Sequence, residues 1–131
     1  MKKILALDFG TKRIGLAVNQ ELLAVPVKII TYQKQSEALE EIVAFCQKNN
    51  IELIVLGLSE QKSAEKTQQF GHKLKSLISI PLVYSDETLS SVEVIERLKL
   101  RHKPLPKEID HYAAAFILEE WLILNSLQTL E

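Results

Sequence analysis

Two short apolar runs open the chain, at residues 4–7 and 14–18, and a turn carrying Gly10 and Thr11 joins them. Runs of that length, bounded by turn residues, predict two strands of a hairpin over about residues 3–8 and 13–19. A third apolar run, 22–30, contains Pro26. Proline has no N–H for a ladder, so this strand belongs at a sheet edge or carries a bulge. The period then changes: Ala38, Leu39, Ile42, Val43, Phe45 and Cys46 recur at helical spacing. Ser36 is the expected cap of this helix, with Glu37, Glu40 and Glu41 near its positive end and Lys48 near its negative one. Asn49-Asn50 should stop it.

Residues 52–58 are almost uniformly apolar and follow a helix, as expected of a parallel strand covered on both faces. A polar loop from 59 to 66 should lead into a helix capped near Ser63, with Phe70, Leu74, Leu77 and Ile78 as its buried stripe and Gly71 as a weak point. Another buried strand is expected over 80–84, opened by Pro81 and followed by Ser85-Asp86-Glu87. Ser90 and Glu93 fit a capping box for a helix that turns Val92, Ile95 and Leu98 to the core. After a basic, proline-broken loop, a last helix is expected over about 108–125, packing through Ala113, Ala114, Ile117, Trp121 and Leu124. Three strands, a helix and then strand–helix units predict an α/β fold, a mixed sheet with helices on both faces.

Composition adds bounds rather than a function. The 131 residues suit one domain with a core of its own, spanning 1–131. A net charge of −1 means that any nucleic-acid contact must come from a local basic patch. Cys46 is the only cysteine, which excludes an internal disulfide and fits a reducing compartment; its apolar helical setting suits a buried, inert thiol. The N-terminus leads straight into the first strand, and no run is long enough to span a bilayer, so a cytoplasmic protein is expected.

Three acids stand out by position. Asp8 ends the first strand, Glu87 follows the last one, and Asp110 opens the final helix among small alanines. Ligands of open α/β sheets collect beyond the carboxyl ends of the strands. Three carboxylates there repel one another unless a cation neutralises them, and Mg²⁺ takes such oxygen ligands and shares phosphate oxygens. Each acid also has a purely structural explanation. Asp8 could cap its turn, Glu87 could be a solvated loop acid, and Asp110 is favourable at any helix start.

Four blocks of the chain resemble the YqgF/RuvX family, bacterial proteins named for two proposed activities, pre-16S rRNA nuclease and Holliday junction resolvase. They are Asp8-Phe9-Gly10-Thr11-Lys12-Arg13-Ile14-Gly15-Leu16-Ala17-Val18, Val55-Leu56-Gly57-Leu58, Asp86-Glu87-Thr88-Leu89-Ser90-Ser91 and Asp110-His111-Tyr112-Ala113-Ala114-Ala115-Phe116-Ile117-Leu118. The resemblance covers nearly the whole chain, with the blocks in order. It implies an RNase H-like fold with a five-stranded mixed sheet, related to the RuvC resolvases. It also implies that Asp8, Glu87 and Asp110 are metal-binding catalytic acids using Mg²⁺ or Mn²⁺. Two departures stand beside the implied cleft. Ser59-Glu60-Gln61-Lys62-Ser63 replaces a stretch where the family usually has a proline and then a glycine, and Thr88 replaces a usual arginine.

Thr11, Lys12 and Arg13 in the hairpin turn could hold a phosphate, and Arg101 and Lys103 could follow a nucleic-acid backbone. The expected activity is a metal-dependent endonuclease acting on structured RNA, at precursor 16S rRNA ends. The alternatives are resolution of branched DNA, which needs a dimer rather than a monomer, and a non-catalytic nucleic-acid-binding domain. An actin-like ATPase is set aside, because the chain is too short for two nucleotide-binding halves.

Overall fold

The computed structural model describes residues 1–58, 64–86, 91–101 and 105–129. Five strands form one sheet: β1 (Ile4–Phe9), β2 (Arg13–Gln20), β3 (Leu23–Thr31), β4 (Leu53–Gly57) and β5 (Leu82–Ser85). Their order is β3-β2-β1-β4-β5. The hairpin pairs are antiparallel, while β4 lies parallel to β1 and β5 parallel to β4. The mixed sheet follows from two kinds of connection. Tight turns join β1 to β2 and β2 to β3, whereas helices carry the chain from β3 to β4 and from β4 to β5.

Pro26 does what its chemistry requires. β3 is an edge strand, and its register against β2 slips between Leu16 and Ala17, which pair with Lys28 and Pro26. Val27 is the extra residue of that bulge.

Alternation along β1 divides the core in two. Leu5, Leu7 and Phe9 point to one side, where α1 (Gln35–Lys48) and α2 (Ala64–Leu77) pack through Leu39, Ile42, Phe70 and Leu74. Ile4 and Ala6 point to the other side, onto Ile117, Leu118 and Leu122 of α4 (Asp110–Thr129). The shorter α3 (Ser91–Arg101) lies on α4 through Val94, Leu98, Ala113 and Phe116. Residues 113–118 of α4 are therefore buried all round, between the sheet and α3.

Several expectations need correction. α1 begins at Gln35 with Lys34 as its N-cap and no side-chain cap, so Ser36 lies inside the helix. Its end is as expected: the Asn49 N–H donates to the Phe45 carbonyl at 3.0 Å, its side-chain amide does so at 2.9 Å, and Asn50 turns left-handed at φ 54. Leu77 and Val92 are exposed because each sits at a helix end beyond the surface it was expected to meet, and Leu124 is exposed inside α4. Val94 takes the core position expected of Val92. β5 is an edge strand with Val83 half-exposed, not a strand buried on both faces. Gly71 is a close-packing point rather than a weak one. A Cβ there would run into the Tyr84 hydroxyl and lie 3.1 Å from Leu56 Cδ2. The caps expected at Ser63 and Ser90 lie outside the described residues.

Candidate functional site

The site is built around a glycine. Asp8 pairs with Gly15 across the β1–β2 ladder, so the Asp8 side chain and the empty Cβ position of Gly15 point to the same sheet face. Into that empty position comes the first turn of α4. A Cβ on Gly15 would overlap the Asp110 carbonyl and come within 2.6 Å of the His111 nitrogen. The missing side chain thus lets the start of α4 touch the strand beside Asp8. One step past the last recorded β1–β4 pair, Leu7–Leu56, a second glycine, Gly57, flanks Asp8 on its other side. Gly57 in turn pairs with Ser85, a buried polar residue at the end of β5.

Asp8 is a buried carboxylate, only 7% exposed, at the carboxyl end of a central strand. Asp110 is the first residue of α4, where an acid is favoured by the unpaired N–H groups of the helix start. Arg13 reaches it from the start of β2. Being two residues from Gly15, Arg13 projects from the same face, and its Nε lies 3.2 Å from Asp110 Oδ2. Its Nη1 lies 3.4 Å from Glu108 Oε2. The Asp110 Oδ2 atom is buried, and the arginine contact supplies charge without hydrogen-bond geometry. Among the described residues no donor hydrogen-bonds that oxygen.

His111, next in the helix, has a buried Nδ1 with no hydrogen-bond partner among the described residues, and its ring packs 4.4 Å from the Tyr112 ring. Burial lowers its pKa, with the charges of Asp110 and Glu108 opposing that effect. The imidazole is therefore not a stored positive charge beside the acids.

The sequence candidates separate in space. Asp8, Arg13 and Asp110 come together on the α4 face. Thr11 belongs to the other side of the hairpin turn, in a groove against α2. Lys12 is exposed in that turn, its carbonyl accepting from the Tyr32 N–H at 3.1 Å. Arg101 ends α3 and is drawn onto α4, 3.4 Å from Glu119 and 5.1 Å from the Phe116 ring centre. Position 119 lies nine residues along α4 from Asp110, roughly 13 Å at helical rise. Glu87 and Lys103 lie outside the described residues, and among the described residues no three metal-ligating side chains cluster. Sequence reasoning missed Glu108 and the role of Gly15. The visible signal was Gly15 facing Asp8 across a predicted hairpin.

Residues 2–123 match the family described as RuvX, Holliday junction resolvase. The chain belongs to the RuvX family. Among similar curated proteins, "Putative pre-16S rRNA nuclease" of Maridesulfovibrio salexigens is 31% identical, over 92% of this chain and 97% of that one. The protein of the same name from Buchnera aphidicola is 35% identical over 93% and 97%. Solved structures agree on the fold at low identity. The RuvC of T. thermophilus, solved with a Holliday junction, superposes with a TM-score of 0.66 at 11% identity over 96% of both chains. The fowlpox virus Holliday junction resolvase superposes at 0.60 and 13% identity, over 93% of this chain and 99% of that one. This RuvX chain therefore has the RNase H-like fold expected of it, a single sheet with helices on both faces.

Proposed function

We propose that this RuvX protein is a metal-dependent endonuclease that hydrolyses phosphodiester bonds in structured RNA, at the ends of precursor 16S rRNA. The observation that carries the reading is the close approach of α4 to Gly15, which brings Asp110 beside the buried Asp8. Two carboxylates drawn together at low exposure, one with a buried oxygen that no described donor hydrogen-bonds, form a donor set suited to a hard divalent cation. Asp8 and Asp110 would hold Mg²⁺ or Mn²⁺, with Glu87, two residues beyond Ser85 in the chain, as the third acid. When bound, such an ion polarises an attacking water and stabilises the leaving oxygen of a phosphodiester.

The protein's own residues do the rest. Arg13 orients Asp110 through its 3.2 Å contact, and its guanidinium would meet a substrate phosphate there. Glu108 holds the other end of that guanidinium, which fixes its direction. Lys12, exposed in the turn beside the cleft, adds a phosphate contact, while Thr11 faces the groove on the other side of that turn. Arg101 and Lys103 would act further along the strand, Arg101 only on leaving Glu119. RNA is preferred to branched DNA on the names of the curated relatives. The family description and the fold keep junction cleavage as the second reading.

The test is cleavage of a precursor 16S rRNA fragment and a four-way DNA junction, side by side, with and without Mg²⁺ or Mn²⁺. Wild type should cut the RNA only with metal, and Asp8→Asn should cut neither substrate while keeping the fold. Junction cleavage alone would transfer the activity to DNA. Cleavage by Asp8→Asn at the wild-type rate would sink the assigned site.

A further inference from the structure

Adjacent strand residues point to opposite faces, so Phe9 looks away from the cleft that Asp8 faces. On Phe9's side a groove of about 340 Å³ opens between the β1–β2 turn and α2, at the lower end of the roughly 300–1,000 Å³ typical of small-ligand sites. Its walls combine three kinds of group. Phe9 and Tyr32 are aromatic, Gln33, Gln35 and Gln69 carry amides, and Lys66 and Lys73 carry charge; Thr11 of the hairpin turn also lines it. No carboxylate is among the lining residues that the structure describes. In a chain of net charge −1, that is a local reversal of sign.

The groove is also braced. Tyr32 donates its hydroxyl to the Gly10 carbonyl at 2.6 Å and its N–H to the Lys12 carbonyl at 3.1 Å, tying the end of β3 to the hairpin turn. Phe9 stacks on Phe70 of α2 at 4.6 Å, which fixes the floor. Lys73 donates to Gln35 Oε1 at 2.8 Å, so α1 and α2 are joined across the groove. That acceptor is neutral, so this contact positions the ammonium group without cancelling its charge.

Aromatic wall, amides and cations are the three groups that an unpaired nucleotide needs: a face for the base, donors and acceptors for its edge, and charge for its phosphate. We propose that this groove is a nucleotide subsite that takes one unpaired nucleotide of the substrate strand, beside the scissile bond. The proposal rests on the nuclease reading of the Asp8–Asp110 cleft. Only the turn at residues 10–12 separates the two, so a strand leaving the cleft over that turn enters the groove directly. A base held in a duplex could not enter it, which makes the site selective for a single-stranded flank.

The test uses the full chain carrying Asp8→Asn, isotope-labelled for NMR, with a short single-stranded oligoadenylate and a blunt RNA duplex as probes. The single strand should shift the backbone amides of Gln33, Gln69 and Lys73, and the duplex should not. Lys73→Glu should remove those shifts and weaken oligoadenylate binding about tenfold, leaving duplex affinity and the thermal midpoint unchanged. Gln69→Ala, a milder change on the same wall, should give a smaller loss in the same direction. Shifts confined to residues 8, 13 and 110, with affinity indifferent to both substitutions, would overturn the subsite and leave the nuclease reading standing. Failure of both probes to bind at all would overturn both readings.

Discussion

At position 15 a single methyl group would decide whether the site exists. The space a Cβ would need is filled by the backbone of Asp110 and His111. Gly15→Ala should therefore force α4 off the sheet, at a cost of about 1–3 kcal/mol from overpacking. Urea melts should show the loss, and cleavage should fall with Asp8 and Asp110 both intact. Asp8→Asn acts in the opposite sense. It keeps the side-chain shape and lowers repulsion between the acids, so stability should stay within about 1 kcal/mol while activity disappears. Arg13 offers a third check. Its guanidinium competes with a metal ion for Asp110, but it is half-exposed, so the pair is worth at most ~1 kcal/mol, about fivefold in affinity. Arg13→Gln should tighten Mn²⁺ binding by up to about that factor in calorimetry, while weakening nucleic-acid binding. Loss of both would mean that Arg13 merely holds the fold together. Asp8 was conspicuous in the sequence because a charged residue ended an apolar run. The Arg13–Glu108 contact was not legible there, since the two lie far apart in the chain and meet only when α4 docks.

Among the elements, α1 shows how far periodicity reaches. Its buried residues Ala38, Leu39, Ile42 and Cys46 are those that the helical spacing picks out, because the helix packs one stripe on one sheet face. Burial pushes the Cys46 thiol up to about 11. A thiol with a folded pKa above its unfolded value stabilises the fold below the unfolded pKa of about 9 and loses that contribution as pH rises towards 11. Alkaline stability should thus fall over this window in wild type and fall less in Cys46→Ala, once the cavity cost is subtracted at pH 7. Native Cys46 should also resist thiol reagents at pH 8. Helix ends were less legible than helix faces. Leu77, Val92 and Leu124 continue the apolar pattern of their helices past the surfaces that cover them, and pattern alone does not say where a neighbour ends. α4 illustrates the converse: buried all round over residues 113–118, it has little amphipathic signal for a sequence to display.

For the molecule as a whole, a net charge of −1 rules out long-range attraction as the source of nucleic-acid affinity. Binding must come from cations gathered at the carboxyl end of the sheet, Lys12 and Arg13 at the turn, with Lys66 and Lys73 acting only on a single-stranded flank. Affinity should then fall steeply with salt despite the neutral total, and Lys12→Gln should reduce the slope of log K against log salt by about 1. The sequence by itself determined the strands, an edge or a bulge at the Pro26 strand, the parallel β4 and the candidate acids. Each of these rests on local chemistry: periodicity, a missing N–H, a charge in an apolar run. Only the tertiary structure decided that Asp8 and Asp110 share a face, that Arg13 joins them and that Thr11 turns to a groove behind them. Those relations depend on the β1–β2 register and on the close seating of α4 against Gly15. Both arise from contacts between residues distant in the chain, which no local pattern encodes.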